Sequence, residues 1–272
     1  MSTEKNKLPI SKFNSKITYN YEKDNQGNVM KSEVINTIQK EICLKYEAKV
    51  LHILNGGCMM DEFQKNKWCN EKFTYVPFNE AMCWGEADEE IFSQAFIEKR
   101  IQSLNVTIEQ YRNIVLKPLE PLFNNEFDTI VLWFGDDMFC QINMLTILAY
   151  LEQRNFDGDV LFCMAVESTD EMLPNVYEID INGSYQKYKS IICNKHMPNE
   201  KLMPVLYQGI LLYLNYLNKD SAINRYIIEH INKSEKQLIN ELFDKFPQYG
   251  LGDLQYKMMI RNINETYLKR EL

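Results

Sequence analysis

Asp136 and Asp137 stand between the apolar runs LWF and MFCQINM, where a strand would hand over directly to a helix. Carboxylates at such a junction can do chemistry. In an open parallel sheet, loops and helix amino termini converge outside the carboxyl ends of the strands and bring unpaired backbone donors with them. Two other apolar runs end in the same way. KVLHILNGG (49–57) closes on Asn55, Gly56 and Gly57, and KFTYVPF (72–78) is followed by Asn79, Glu80, Trp84, Gly85 and Glu86.

Each of these residue types has a structural use beside a chemical one. Asp137 is placed either as the N-cap of a helix from Met138, worth about 1 kcal/mol, or as a ligand. Arg100 follows Phe92 and Phe96 and precedes Leu104 at helical spacing, so it falls on a buried stripe and needs a carboxylate such as Glu80 or Asp137. The alternative is that it snorkels to water. Gln141 precedes Leu145 and Leu148 on a core stripe, as a structural amide or one aimed at the sheet edge. His52 alternates with Val50 and Leu54 on one strand face, where a histidine is either a base or a satisfied core residue. Glu80, Glu86, Asp88, Asp136 and Asp137 are oxygen donors of the kind magnesium takes, but Glu86 and Asp88 equally suit the start of a helix. Trp84 and Trp133 either stack on a planar ligand or pack the core.

The elements that must hold these side chains follow from periodicity. Strands are expected at 49–57, 72–78, 128–134 and in DVLFCMAV after Asp157-Gly158, with helices over 58–67, 88–104, 107–123 and 138–154. That alternation predicts an α/β fold: a mainly parallel, Rossmann-like sheet with flanking helices, followed by a helical C-terminal region. Its expected parts are an N-terminal arm with a short helix (1–47, the helix over 31–47), an α/β domain (48–195) and the helical region (196–272). Asn182-Gly183 between strand-like flanks reads as a hairpin turn. Helices are expected near 200–218, 220–231, 234–246 and 252–270.

Composition narrows the class. The 272 residues carry 30 basic and 38 acidic side chains, a net charge of −8, with no basic stripe for nucleic acid. The seven cysteines are scattered without a C-x-x-C pair, which points to structural thiols in a reducing, cytoplasmic setting. No leader-like apolar core opens the chain, and no stretch approaches the roughly 20 apolar residues of a membrane span. There is no G-x-G-x-x-G, P-loop, G-x-S-x-G or H-E-x-x-H, so no cofactor or metal is named.

The segments LHILNGG (51–57), VPFNEAMCWG (76–85), FIEKR (96–100), VLWFGDDMFCQINMLTIL (131–148) and GLGDLQYKMM (250–259) together resemble the bacterial family catalogued as domain of unknown function 1835. The resemblance carries weight onto His52, Asn55, Gly56, Glu80, Gly85, Arg100, Asp137, Gln141 and Asn143. It implies a shared polar site but no reaction. Gly57 stands where the family has aspartate, and Asn79 replaces an arginine.

Two functional readings result. In the first, the protein binds a small polar or phosphorylated molecule at the carboxyl edge of the sheet, as a transferase or hydrolase. His52, Glu80 and Asp137 are then the catalytic candidates, and Asn55, Gly56, Arg100, Gln141 and Asn143 bind the ligand. In the second it is a non-enzymatic sensor or scaffold whose helical tail meets a protein or nucleic-acid partner. Residues 230–272 hold seven basic and six acidic residues, too balanced for a phosphate-binding face.

Overall fold

The β-branched runs become strands, and the glycines and carboxylates after them become turns and helix starts. The computed structural model describes residues 26–46, 49–124, 126–164 and 176–268. Most of the expected N-terminal arm, residues 1–25, lies outside them. The strands are β1 (Val50–Leu54), β2 (Thr74–Pro77), β3 (Thr129–Phe134), β4 (Asp159–Met164) and β5 (Val176–Glu178). The helices are α1 (Gln26–Lys45), α2 (Gly56–Lys65), α3 (Gln94–Leu104), α4 (Ile108–Tyr111), α5 (Glu120–Phe123), α6 (Met138–Gln153), α7 (Ser184–Tyr188), α8 (Pro204–Tyr216), α9 (Ala222–Glu229), α10 (Glu235–Lys245) and α11 (Asp253–Leu268). The protein is therefore α/β with a five-stranded, mostly parallel sheet. The strand order is β2-β1-β3-β4-β5, and only β5 runs antiparallel to its neighbour.

The chain forms two compact units, each assembled from three separate segments. The first comprises Met1–Asn79, Arg112–Gly135 and Phe156–Ile181; the second comprises Glu80–Tyr111, Asp136–Asn155 and Asn182–Leu272. The first holds the sheet. On one sheet face Val50, Leu54, Val131, Trp133, Leu161 and Cys163 form a core with Val34, Ile35, Ile38 and Ile42 of α1 and Phe63 of α2. The 3.6-residue spacing of the α1 side chains puts them on one stripe, and the two-residue spacing of the strand side chains puts them on one face. Gln39 ties α1 down further. Its amide donates to the Trp68 carbonyl and accepts from the Tyr75 hydroxyl.

The second unit is built on α6, which is buried on all sides from Met138 to Leu151 except at Phe139. A helix apolar all round belongs inside a packed layer. It packs against α7 and α8, and α11 against α9 and α10. At Gly209 of α8 a β-carbon would stand 2.5 Å from Gln141 Cβ, so the crossing of α8 over α6 needs glycine there.

Several expected elements differ in the structure. The helix expected over 88–104 starts only at Gln94, because Phe92 takes a left-handed backbone (φ 61°) and Ser93 caps the next turn through the Phe96 N–H. The helix expected over 107–123 is interrupted: a π-turn at Arg112–Leu116 separates α4 from α5, and Pro118 and Pro121 deny the chain backbone donors. Asn182-Gly183 makes no hairpin. Gly183 (φ 76°) instead leads into α7, and the Glu152 carboxylate accepts from the Gly183 and Tyr185 N–H groups. A carboxylate at a helix start satisfies donors that the helix itself leaves open, so the glycine that suggested a two-residue turn serves a helix start.

Candidate functional site

The candidate residues fall into three groups, each confined to a single unit. The first centres on Glu80 and Arg100 in the second unit. Both side chains are fully buried. Arg100 Nη2 donates to Glu80 Oε2 at 2.8 Å, and Nε lies 3.2 Å from both carboxylate oxygens. The remaining donors go to backbone carbonyls: Nη1 to Trp84 and Glu86, Nη2 also to Ala81. A guanidinium has five N–H donors, and here every one has a partner. Burial works against the charge of Arg100, but the Glu80 carboxylate more than restores it and holds the guanidinium above its ordinary pKa.

Glu80 is equally occupied. Beyond Arg100 it accepts from the Tyr111 hydroxyl and from the Ala81 N–H. Burial, then the neighbouring carboxylate, raises the Tyr111 phenol, which therefore stays protonated and donates. Asn143 completes the group. Its side chain donates to the Glu80 carbonyl and accepts from the Met82 N–H, as a neighbouring strand would. Gln153 does the same further along, donating to the Glu89 carbonyl and accepting from the Ile91 N–H. Residues 80–91 form an irregular loop, and Arg100, Asn143 and Gln153 supply the hydrogen bonds that regular structure would have given it. The arrangement suits bracing better than catalysis.

The second group lies at the start of α6. Asp137 is its N-cap, accepting from the Cys140 N–H at 2.8 Å. Burial raises its carboxyl pKa, against the pull of the cap bonds, and Asp136 adds to the rise. Gln141, one turn on, is buried under Gly209. Asp136 itself is exposed. Among the described residues no set of three histidine, cysteine, aspartate or glutamate side chains could hold a metal ion.

The third group is in the sheet unit. His52 is fully buried between Tyr75, stacked at 4.5 Å, and Phe73 at 5.1 Å. Its Nδ1 accepts the indole N–H of Trp133 at 2.9 Å. Burial pushes its pKa down to about 3, so it is a neutral acceptor in an aromatic layer. Trp133 is core. Asn55 and Gly56 sit where β1 turns into α2. Gly56 takes φ 85°, and Asn55 places no side-chain cap on the helix. A β-carbon on Gly56 would meet nothing nearer than 3.9 Å, and one on Gly57 only Asn79 Oδ1 at 3.6 Å. The backbone here carries no side chain of its own, and its nearest described neighbours, Asn79 Oδ1 and the Phe78 carbonyl, lie at ordinary van der Waals distance from such a β-carbon.

Sequence reasoning missed Tyr111, Gln153, Gly209 and Gly250. A glycine inside the apolar helix pattern YQGILLY was a readable sign of close helix contact; the other three carried none. Compared with family models, with curated proteins and with solved structures, the chain matches none.

Proposed function

We propose that this protein is a cytoplasmic, Rossmann-like member of the family catalogued as domain of unknown function 1835. In this reading it binds a small phosphorylated molecule at the carboxyl edge of its sheet, with the phosphate on the amino terminus of α2. One observation carries the reading: β1 and β3 are adjacent central strands from which the chain order runs outward in opposite directions, and the uncapped, glycine-lined helix start lies at the end of β1. Ligands of open α/β sheets collect at such a reversal. The first-turn N–H groups of a helix have no partners within it and, with the helix dipole, favour an anion. Asn79, whose Oδ1 is the nearest side-chain atom to both glycines, supplies a polar wall.

Among the described residues the other helix that follows a parallel strand end directly, α6, is closed by its own Asp137, which favours α2 for the anion. His52 is neutral and enclosed, and Glu80 and Arg100 are saturated by partners of their own unit. The reading is therefore a binding protein, a sensor or carrier, in preference to a transferase or hydrolase.

Thermal melting with inorganic phosphate, nucleotides and sugar phosphates tests it, alongside Gly57→Asp. That substitution restores the residue type of the resembling family and sets a carboxylate where the phosphate would lie. A ligand at 100 times its Kd stabilises by about 2.7 kcal/mol, several degrees of melting temperature. The expected result is a shift with a phosphorylated ligand that Gly57→Asp abolishes, while the variant melts no lower than wild type because an acid suits a helix start. No shift with any phosphorylated compound, or equal shifts in both proteins, would overturn the reading.

A further inference from the structure

A groove of about 400 Å³ lies on the helices of the second unit. Ala222, Arg225, Tyr226 and Glu229 of α9 line one side, and Lys245 and Phe246 at the end of α10 line the other. Its size is within the range of small-ligand sites.

The groove carries charges of both signs. Among the described residues none of Arg225, Glu229 and Lys245 forms an ion pair, although Arg225 and Glu229 are one helical turn apart and of opposite sign. Lys233 bonds both oxygens of Glu241 at 2.7 Å, and Glu241 accepts from the Tyr226 hydroxyl at 2.8 Å. That chain of bonds fixes the Tyr226 ring. His230 stacks on it at 4.1 Å, and Lys245 Nζ stands 5.0 Å from its centre. The groove thus has a wall held by its own hydrogen bonds, an apolar surface from Phe246 and Ala222, Lys245 over the Tyr226 ring, and Arg225 and Glu229 in no ion pair among the described residues.

We propose that this groove binds a zwitterionic amino acid with an apolar side chain. Its carboxylate would lie on Arg225 and Lys245, its ammonium on Glu229, and its side chain against Phe246 and Ala222. The unpaired Glu229 decides the class, since it would repel a simple anion or a phosphate dianion but complements an ammonium. A zwitterion is the small ligand that gives each unpaired charge an opposite one. This site is independent of the proposed site on α2.

Calorimetric titration of the full chain with L-phenylalanine, phenethylamine, 3-phenylpropionate and inorganic phosphate tests the proposal. For an open groove the expected Kd is on the order of millimolar. L-phenylalanine should bind several-fold tighter than either analogue that lacks one charge. Arg225→Gln and Glu229→Gln should each weaken it several-fold with melting temperature unchanged, since both side chains are exposed. Glu229→Gln should also improve 3-phenylpropionate. Absence of L-phenylalanine binding at millimolar concentration would overturn the proposal. So would 3-phenylpropionate or phosphate binding that matches it and is weakened by Arg225→Gln, which would make the groove a plain anion site. Phosphate binding that is lost in Gly57→Asp and kept in Arg225→Gln belongs to the α2 site and leaves the comparison of phenylalanine with its analogues decisive.

Discussion

Gly250 presses its bare Cα against the Asp137 carboxylate: a β-carbon at Gly250 would stand 2.0 Å from Asp137 Oδ1. Two segments more than a hundred residues apart in sequence thereby meet, the N-cap of α6 and the turn between α10 and α11. The same oxygen caps α6, so one carboxylate both closes a helix and receives the turn that launches the last one. Gly250 has the second qualification the position requires, a left-handed backbone at φ 61°.

Gly250→Ala should therefore destabilise twice, by steric displacement at Asp137 of about 1 to 3 kcal/mol and by the strained φ of about 1 kcal/mol or more. Urea unfolding would show this as a lowered midpoint. The double variant Gly250→Ala, Asp137→Ser, which keeps a capping oxygen and removes bulk, should recover part of the loss. A Gly250→Ala midpoint equal to wild type would mean that the two segments are not in contact.

Arg100 and Glu80 should be unequal under substitution. Glu80→Gln leaves a buried guanidinium without its countercharge, typically 3 to 5 kcal/mol. Arg100→Met leaves a buried carboxylate and also deprives the carbonyls of Ala81, Trp84 and Glu86 of their donors, each about 1 to 3 kcal/mol if left unsatisfied. Arg100→Met should be the more damaging, and the pair Arg100→Met, Glu80→Met should not restore wild-type stability, because the loop carbonyls stay orphaned. A stable double variant would show that the loop does not depend on Arg100.

His52 should make the protein acid-sensitive. Its pKa falls from the ordinary 6.5 to about 3 on burial, so the unfolded chain takes up a proton that the folded chain refuses. Its contribution to stability is complete above pH 6.5 and is lost as the pH falls toward 3, on the order of 4 kcal/mol over that interval. In His52→Leu the Trp133 indole loses its acceptor, so the variant is weaker at neutral pH, and its stability should fall less steeply between pH 6.5 and 4. Unfolding free energies across that range would measure both effects. Parallel curves for the two proteins would show that His52 is not held neutral.

What was legible in the chain follows from local physics. VLHIL and TIVLWF read as buried strands because continuous β-branched and aromatic runs bounded by glycine and acid have few other uses. Asp137 read as a cap or a ligand, the first because a short carboxylate before an apolar helix reaches the first-turn donors. Arg100 was legible as a stripe residue that either snorkels to water or is buried on a carboxylate, with Glu80 and Asp137 equally eligible. Phe92, by contrast, sits on the right period for α3 and is yet outside it, because periodicity does not register a left-handed backbone.

The sequence by itself determined the α/β class, the four parallel strands, the helix starts after β1 and β3 and the place of Arg100 on an apolar stripe, since each depends on neighbours within a few residues. Only the tertiary structure decided what those residues do. It joined Arg100 to Glu80 and Tyr111, set Asn143 and Gln153 as substitutes for a missing strand partner, enclosed His52 among rings, and placed Gly250 on Asp137. These are contacts across tens to a hundred residues, and a local pattern specifies that a buried polar group must find a partner without specifying which one.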